Sequence, residues 1–281
     1  MENSTGAFQH QVNKAEVPVC PILGVQIAAI DMPWLLEFTA ENLEKLSGDY
    51  ICVSNVHTTV TAYEDPSYMA VQNGGIMAIP DGGPLSTTGR RRGFGKMRRV
   101  TGPDFMQEAI AAGISRGWRH YFYGSTPETL KTMEENFRAR YPGIQIAGSY
   151  SPPFRAMTAQ EDREIQERIA LAKPDFVWVG LGAPKQEIWM HDHQGRIPGL
   201  MVGVGAAFDY AAENIYRAPS WMQKHNLEWF YRLLQDPKRL FRRYHLSIRL
   251  IYFFFIYFHR LRQEELLLLV SISVAKDRRI H

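Results

Sequence analysis

The chain of 281 residues contains only two cysteines, Cys20 and Cys52. Neither lies near a second cysteine or a histidine at the spacing of metal ligands, so we expect no disulfide framework and no structural zinc site. His191 and His193 are too close to chelate a metal from one helical face, where an i,i+4 spacing is typical, and we predict that both lie at the surface. This low cysteine content is typical of a protein of the reducing cytoplasm.

No apolar run in the sequence is long enough to span a bilayer, which takes about 20 residues. The longest run in the C-terminal tail covers residues 248–258, and a second covers residues 266–270. Residues 1–20 lack the apolar core of a secretory signal peptide, and we predict that they form a flexible leader.

Charge is unevenly distributed along the chain. Residues 217–262 contain ten basic and two acidic residues, a net charge of +8, while the remaining 22 basic and 27 acidic residues give −5. Aromatic residues beside arginines, as in this tail, are typical of a segment that lies in a membrane interface and binds anionic lipid. A subunit contact, which would make the protein a homo-oligomer, and an RNA-binding surface are the alternatives, because bases stack on aromatic rings.

A complete nucleotide-binding fingerprint is also absent. Two glycine turns follow late predicted strands, one from Gly180 to Gly182 and one from Gly203 to Gly205. Lys185 and Phe208 stand where the third glycine of G-x-G-x-x-G belongs, and the P-loop lysine pattern is missing. The turns could present N–H groups to a phosphate. Close packing of strand on helix explains their glycines equally well.

Short apolar segments alternate with longer segments of mixed polarity. Strands that are buried on both faces have such continuous apolar sequences, and the rhythm predicts a Rossmann-like, doubly wound α/β domain with a mostly parallel sheet. The predicted strands are residues 24–29, 50–54, 76–80, 120–123, 144–147, 176–180 and 200–204. The predicted helices are residues 31–46, 66–73, 104–115, 127–140, 159–172 and 184–193.

Asp81 follows the predicted strand 76–80 directly and is itself followed by Gly82 and Gly83. The carboxyl ends of parallel strands form the edge of the sheet where ligands bind in open α/β folds. Glycines there let a backbone or a ligand approach closely. A turn aspartate without further function is the equal alternative, because Asp and Gly are ordinary turn residues.

A resemblance to a known family rests on several motifs that occur together and in order. They are Ile79-Pro80-Asp81-Gly82-Gly83, Arg99-Val100-Thr101-Gly102-Pro103-Asp104, Gly182-Ala183-Pro184-Lys185-Gln186-Glu187, Gly203-Val204-Gly205-Ala206-Ala207-Phe208, Arg217-Ala218-Pro219, and a series from Glu228-Trp229 to Arg242-Arg243. With these motifs the sequence resembles the WecG/TagA/CpsF family of bacterial glycosyltransferases, from about Val25 to Tyr244.

The resemblance implies inverting transfer of a sugar, without a metal or other cofactor, from a UDP-sugar to an undecaprenyl-diphosphate-linked saccharide. The reaction would serve bacterial cell-surface polysaccharide synthesis at the cytoplasmic face of the inner membrane, with the protein bound peripherally. By the same resemblance Asp81 matches the catalytic base, and Arg99, Asn55 and Gln186 match site residues. The family's threonine two places before Asn55 is replaced by Val53, and the neighbouring Ser54 would point the other way on a strand.

The chemistry adds a second group of candidates. The departing UDP gains negative charge, and the sequence has no D-x-D motif to hold a metal that would meet it. Arginines can bind phosphate oxygens instead, through the planar fork of the guanidinium group. The candidate substrate-binding residues are Asn55, Gly82, Gln186, Gly203, Gly205, Arg217, Arg232, Arg239 and Arg242, beside the catalytic pair Asp81 and Arg99.

These observations predict three regions. Residues 1–20 are the leader, residues 21–216 the catalytic α/β domain, and residues 217–281 a basic helical appendage that binds the membrane and closes over the diphosphate. The expected partners are a UDP-sugar, a lipid-linked acceptor and an anionic membrane surface, with no nucleic acid. A non-catalytic, membrane-attached nucleotide-binding protein and a nicotinamide-dependent oxidoreductase are the alternatives. The missing dinucleotide fingerprint argues against the oxidoreductase.

Overall fold

The structure is a computed structural model that describes residues 9–219, 221–222, 227–235 and 237. The chain divides into two compact units, Met1–Tyr231 and Arg232–His281. Most of the second unit, including Arg239, Arg242 and the aromatic run 248–258, lies outside the described residues, so the predicted appendage stays a prediction. Among the residues that are described, no helix is both long and apolar enough to cross a membrane.

The first unit contains one sheet of eight strands in the order β1-β2-β4-β3-β8-β7-β5-β6. The strands are β1 (Val19–Ile22), β2 (Val25–Ala28), β3 (Tyr50–Ser54), β4 (Met77–Pro80), β5 (Arg119–Gly124), β6 (Gln145–Tyr150), β7 (Phe176–Gly180) and β8 (Leu200–Gly203). Every pairing is parallel except that of β1 with β2. The predicted α/β class with a mostly parallel sheet is therefore confirmed.

Both faces of the sheet are covered. Along β3, Ile51 and Val53 belong to one buried apolar cluster, while Tyr50 and Cys52 belong to another on the opposite face. Alternate side chains point to opposite faces of a strand, so each face has its own core. This double burial is the reason why the strands are continuously apolar in sequence.

Nine helices of the first unit, among the residues described, connect or flank these strands. They are α1 (Met32–Asn42), α2 (Val56–Glu64), α3 (Pro66–Gly74), α4 (Gly83–Arg91), α5 (Gly102–Gly113), α6 (Pro127–Arg140), α7 (Ala159–Ala172), α8 (Lys185–Asp192) and α9 (Ala207–Ala211). A further helix, α10 (Glu228–Gln235), begins in the first unit. The predicted bounds of α6 and α7 are confirmed, whereas α2, α4 and α9 have no counterpart in the prediction.

The segment before the predicted catalytic domain is partly built into the sheet. A short 3₁₀ helix, Lys14–Glu16, precedes β1, and both Val12 and Val17 are buried. His10 pairs with Asp49 at 2.5 Å between Nδ1 and Oδ2. The predicted boundary at residue 20 thus falls within β1, the antiparallel strand that sequence analysis does not predict.

The prediction that His193 is a surface residue is wrong. Its ring is buried and stacks on Trp189, with ring centroids 4.3 Å apart. Its Nε2 lies 3.0 Å from Asp162 Oδ1 on α7, and its Nδ1 lies 2.7 Å from the Trp189 carbonyl. Each ring nitrogen thus lies within hydrogen-bond distance of a protein oxygen, as is usual for polar groups that are buried.

The two halves of the sheet come from different parts of the chain and meet between β3 and β8. Residues 19–80 supply β1, β2, β4 and β3, and residues 119–203 supply β8, β7, β5 and β6. In open α/β sheets a ligand crevice forms outside the carboxyl ends of the strands at such a junction. Asn55, Asp81 and Val204 follow β3, β4 and β8 directly, so they stand at this edge.

Candidate active site

Asp81 is held at the carboxyl end of β4 by its backbone. Its N–H donates to the carbonyl of Ser54 at 2.7 Å, and 26% of its side chain is exposed. Gly82 follows with φ +136°, a conformation that residues with a Cβ rarely adopt, and serves as the N-cap of α4. The backbone of Asp81 is therefore fixed at this edge of the sheet, and its side chain is partly open to solvent.

Arg99 reaches this carboxylate because the segment on either side of it is bonded to strand ends. The N–H of Arg98 donates to Ile30 and that of Val100 donates to Pro80, both at 2.9 Å. The Arg99 side chain places Nη2 at 3.7 Å from Asp81 Oδ1. The two residues predicted as the catalytic pair are thus neighbours in the structure.

Arg217 is bound at the start of α5. It donates to Asp104 Oδ1 at 2.5 Å and to Oδ2 at 3.3 Å, and its guanidinium lies 5.8 Å from the centre of the Tyr210 ring. Thr101 caps α5 and donates its hydroxyl to Asp104 at 2.7 Å. Burial raises the pKa of Asp104, but hydrogen bonds from Arg217 and Thr101 outweigh that and hold the pKa below its ordinary value.

Glu228, in the first turn of α10, joins these two arginines. Its Oε2 accepts a hydrogen bond from Arg99 Nη2 at 2.5 Å, and its Oε1 lies 4.0 Å from Arg217 Nε. Five side chains of alternating charge therefore form one group, which we call the charged cluster: Asp81, Arg99, Glu228, Arg217 and Asp104. Glu228 is not among the predicted site residues, although it is one of only two acidic residues in the basic stretch 217–262.

Asn55 acts as a helix cap in the structure. Its Oδ1 accepts from the N–H of Thr58 at 3.2 Å, and the Thr58 hydroxyl accepts from its backbone N–H at 2.9 Å, which forms a capping box for α2. A Cβ built on Gly82 would lie 4.0 Å from Asn55 Cβ, so the two residues are adjacent. Ser54 is buried and donates its hydroxyl to Gln72 on α3 at 2.6 Å, so this hydroxyl is engaged within the interior.

Gln186 connects the two glycine turns. Its Oε1 accepts from the N–H of Gly182 at 3.1 Å and from that of Gly205 at 3.0 Å, and the side chain is buried. A Cβ on Gly203 would lie 2.8 Å from Met190 Cε and 3.0 Å from Gln186 Nε2. These contacts favour the packing interpretation of the glycines over phosphate binding by those two N–H groups.

Glu187 is a second glutamate that is not among the predicted site residues, and it is fully buried. It accepts from Gln186 Nε2 at 2.8 Å and from the Tyr68 hydroxyl at 3.2 Å, and Tyr68 accepts in turn from Gln72. We call Ser54, Gln72, Tyr68, Glu187 and Gln186 the buried network. Burial, followed by the charge of Glu187, raises the pKa of Tyr68 and keeps its hydroxyl protonated as a donor.

The predicted site residues thus fall into three sets. Asp81, Arg99 and Arg217 meet in the charged cluster, with Asn55 and Gly82 beside Asp81. Gln186, Gly203 and Gly205 form a second set at the end of β8. Arg232 lies in α10 and in the second unit, while Arg239 and Arg242 lie outside the described residues. Within the described ranges, no three His, Cys, Asp or Glu side chains are grouped so that they could hold a metal.

Comparison with known proteins identifies the family. The sequence profile of the WecG/TagA/CpsF glycosyl transferase family matches residues 20–266. The chain belongs to the WecG/TagA/CpsF family. This assignment confirms the predicted family and the predicted class of enzyme, a glycosyltransferase.

Two curated relatives illustrate the similarity of the chain to known proteins. The N-acetylglucosaminyldiphosphoundecaprenol N-acetyl-beta-D-mannosaminyltransferase of Bacillus subtilis (strain 168) is 32% identical over 198 residues, which cover 70% of this chain and 75% of that protein. The protein of the same name from Staphylococcus aureus (strain MW2) is 29% identical over 192 residues, 68% of this chain and 74% of its own. Because the chain belongs to the WecG/TagA/CpsF family, its charged cluster lies in a glycosyltransferase.

Proposed function

We propose that this protein transfers a sugar from a UDP-sugar to an undecaprenyl-diphosphate-linked saccharide, with inversion and without a metal, in the synthesis of a bacterial surface polysaccharide. The observation that carries the proposal is the charged cluster, in which Asp81 stands beside Arg99 at the carboxyl edge of the sheet. Membership of the WecG/TagA/CpsF family supports the class of reaction.

Asp81 is the proposed general base. In an inverting transfer the acceptor hydroxyl attacks the anomeric carbon from the face opposite the UDP, and a carboxylate takes the hydroxyl proton. This requires a distance of about 2.6–3.2 Å between the carboxylate and hydroxyl oxygens. The partial exposure of Asp81 and the backbone bond that holds it both suit this role.

Arg99 and Arg217 are proposed to meet the charge that develops on the departing UDP. Within the charged cluster, however, their two positive charges are outnumbered by three carboxylates, Asp81, Glu228 and Asp104. A diphosphate therefore needs further positive charge. We propose that Arg232, Arg239 and Arg242 supply it when the tail closes over the bound donor.

The names of the relatives suggest the first substrates to test. Those enzymes are named for transfer of N-acetylmannosamine to N-acetylglucosaminyldiphosphoundecaprenol. We propose the same class of lipid-linked acceptor here, reached at the cytoplasmic face of the inner membrane by a protein bound peripherally through its basic tail. Each basic residue near an anionic surface adds about 1 kcal/mol of binding free energy.

An assay of the full chain tests this function. A panel of UDP-sugars, with UDP-N-acetylmannosamine first, is incubated with N-acetylglucosaminyldiphosphoundecaprenol, and the anomeric configuration of the product is determined by NMR. We expect transfer with inverted configuration and a rate that EDTA changes by less than about twofold, since arginines rather than a metal meet the developing charge. Retained configuration, or loss of transfer in EDTA, would contradict the proposal.

Truncation after Gln235 tests the role of the tail. The shortened chain keeps α10 complete, with the charged cluster and Arg232, but lacks Arg239 and Arg242. We expect it to fold, to stop sedimenting with vesicles that contain anionic lipid, and to lose transfer activity. Full activity of the shortened chain would show that the tail does not close the site.

A further inference from the structure

The carboxylate of Glu228 lies between the two arginines that the proposed function assigns to the diphosphate. Its Oε2 accepts a hydrogen bond from Arg99 Nη2 at 2.5 Å, while its Oε1 lies 4.0 Å from Arg217 Nε. Hydrogen bonds from N–H to oxygen extend to about 3.2 Å. Glu228 therefore engages Arg99 and falls short of Arg217.

Arg217 keeps one donor that none of the described residues uses. Its two Nη atoms donate to Asp104, at 2.5 and 3.3 Å. Its Nε is buried and has no hydrogen-bond partner among the described residues. Buried donors are normally paired with a protein group, a water or an ion, so an exception points to a functional role. This N–H group, close to Glu228, is thus available to an anionic ligand.

A diphosphate matches these two arginines better than the Glu228 carboxylate does. Guanidinium groups form charge-assisted hydrogen bonds with phosphate oxygens as they do with carboxylates. A carboxylate offers two oxygens on a single carbon atom, whereas a diphosphate offers more oxygens over a greater length. A diphosphate can therefore accept from Arg99 Nη2 and from Arg217 Nε at the same time.

We propose that the Glu228 carboxylate occupies the place of the donor's diphosphate between Arg99 and Arg217, and that the UDP-sugar displaces it on binding. This inference rests on the proposed function, which assigns these two arginines to the diphosphate. Displacement of Glu228 leaves the charged cluster with two arginines and two carboxylates, Asp81 and Asp104, so its net negative charge is removed. Glu228 is the first residue of α10, so donor binding also changes the contacts at the start of this helix.

This competition lowers the affinity for a nucleoside diphosphate. When only a fraction of the molecules has a site ready to bind, the measured Kd is raised by the inverse of that fraction. Occupation of Arg99 by Glu228 in about nine molecules of ten therefore raises the Kd of UDP about tenfold. Uridine lacks phosphate groups, so the same competition leaves its affinity unchanged.

The test is Glu228→Gln in the full chain, with UDP binding measured by calorimetry and uridine binding by NMR. Glutamine keeps the size of the side chain and removes the charge with which Glu228 holds Arg99. We expect the Kd of UDP to fall about tenfold, because the two arginines are then free to bind phosphate. The Kd of uridine is expected to stay within about twofold of the parent value.

Glu134→Gln is the matched control. Glu134 also pairs with an arginine, Arg138, but on α6 and at 3.5 Å, so the substitution removes an equal charge outside the cluster. We expect its Kd values for UDP and uridine to equal those of the parent chain. Thermal unfolding of both variants reports the fold. If Glu228→Gln fails to fold, Glu228→Ala is measured instead and is expected to show the same gain in UDP affinity.

Two results would overturn the inference. One is a Kd of UDP for Glu228→Gln that stays within about twofold of the parent, against the expected change of about tenfold. The other is an equal gain in affinity for uridine and UDP, which would show that the substitution alters the nucleoside site instead of freeing the arginines.

Arg99→Gln separates this inference from the function on which it rests. If that variant binds UDP as tightly as the parent, Arg99 is not a ligand of the diphosphate and the proposed function loses this assignment. If it binds UDP more weakly while Glu228→Gln keeps the parent affinity, only the role of Glu228 fails.

Discussion

Two glutamates at the carboxyl edge of the same sheet have opposite environments. Glu228 lies in the charged cluster, keeps 12% of its side chain exposed and is bonded to a guanidinium. Glu187 lies in the buried network, is fully buried, and accepts hydrogen bonds from the neutral groups of Tyr68 and Gln186. A carboxylate between arginines can exchange partners when an anionic substrate binds. A buried carboxylate with fixed neutral donors holds its neighbours in one arrangement.

The two glutamates belong to groups with two different tasks at the same edge of the sheet. The buried network fixes the turns of Gly182 and Gly205 through Gln186, and thereby shapes the edge of the sheet. The charged cluster supplies the groups proposed to act on the substrate. We therefore expect substitutions in the buried network to reduce stability, and substitutions in the charged cluster to reduce activity.

The largest expected effect is that of Glu187→Ala. It leaves the donors of Tyr68 and Gln186 unpaired in the interior and creates a cavity, so we expect the free energy of unfolding to fall by about 3–5 kcal/mol. Chemical denaturation measures this loss. Glu187→Gln, which keeps the volume and one acceptor, is expected to lose less than half as much. A loss below about 1 kcal/mol for the alanine variant would place Glu187 outside the stabilising network.

Arg99→Gln is expected to reduce activity strongly and stability only slightly, in contrast to Glu187→Ala. Removing one group that stabilises developing charge lowers kcat about 100-fold, equivalent to about 2.7 kcal/mol of activation free energy. The free energy of unfolding is expected to change by less than about 1 kcal/mol, because the side chain is partly exposed. Steady-state kinetics and denaturation on the same preparation make the comparison. A large loss of stability with normal kcat would contradict the assignment of activity to the charged cluster and of stability to the buried network.

Arg217→Gln is expected to have a small effect on stability, and one that depends on pH. Because 41% of the Asp104 side chain is exposed, solvent screens the pair, and we expect a loss of about 0.5–1 kcal/mol at pH 7. The folded-state pKa of Asp104 is depressed, so its contribution is complete above the unfolded pKa and is lost as pH falls through the folded value.

The difference in unfolding free energy between the parent and Arg217→Gln should therefore shrink as pH falls below the ordinary aspartate value of 3.8. Denaturation curves at neutral pH and at acid pH measure it. A difference that stays constant through this range would show that Asp104 is not the partner through which Arg217 stabilises the fold.

Elements buried on both faces, and helices with clear caps, could be predicted from the sequence. The predicted bounds of β3 and β7 agree with the structure because continuous apolar sequence between turn residues is what a central parallel strand requires. Helix α6 begins after Thr126, which caps it, with proline in the first turn. In contrast, α2 is rich in threonine and valine, residues of low helix propensity, and its stability depends on the capping box of Asn55.

The candidate site was predictable only in part. Asp81 and Arg99 follow from the end of a strand and a family motif, but Glu228 reaches Arg99 across 129 positions of sequence. Glu228 lies in a strongly basic stretch, so the local charge pattern does not single it out as a site residue. Glu187 joins Tyr68 over 119 positions, and no local pattern distinguishes a buried glutamate from an exposed one on a short helix. Both contacts are set by tertiary packing, which periodicity and spacing do not report.

The most direct test of the central claim is the single-turnover rate of Asp81→Asn at saturating acceptor and UDP-sugar, with UDP affinity measured by calorimetry. Asparagine keeps the size of the side chain but cannot take a proton. We expect the rate to fall about 10³-fold, within the range that a general base contributes. We expect UDP to bind within about threefold of the parent, since UDP lacks the acceptor hydroxyl on which Asp81 acts. A rate within about tenfold of the parent would contradict the assignment of Asp81 as the base.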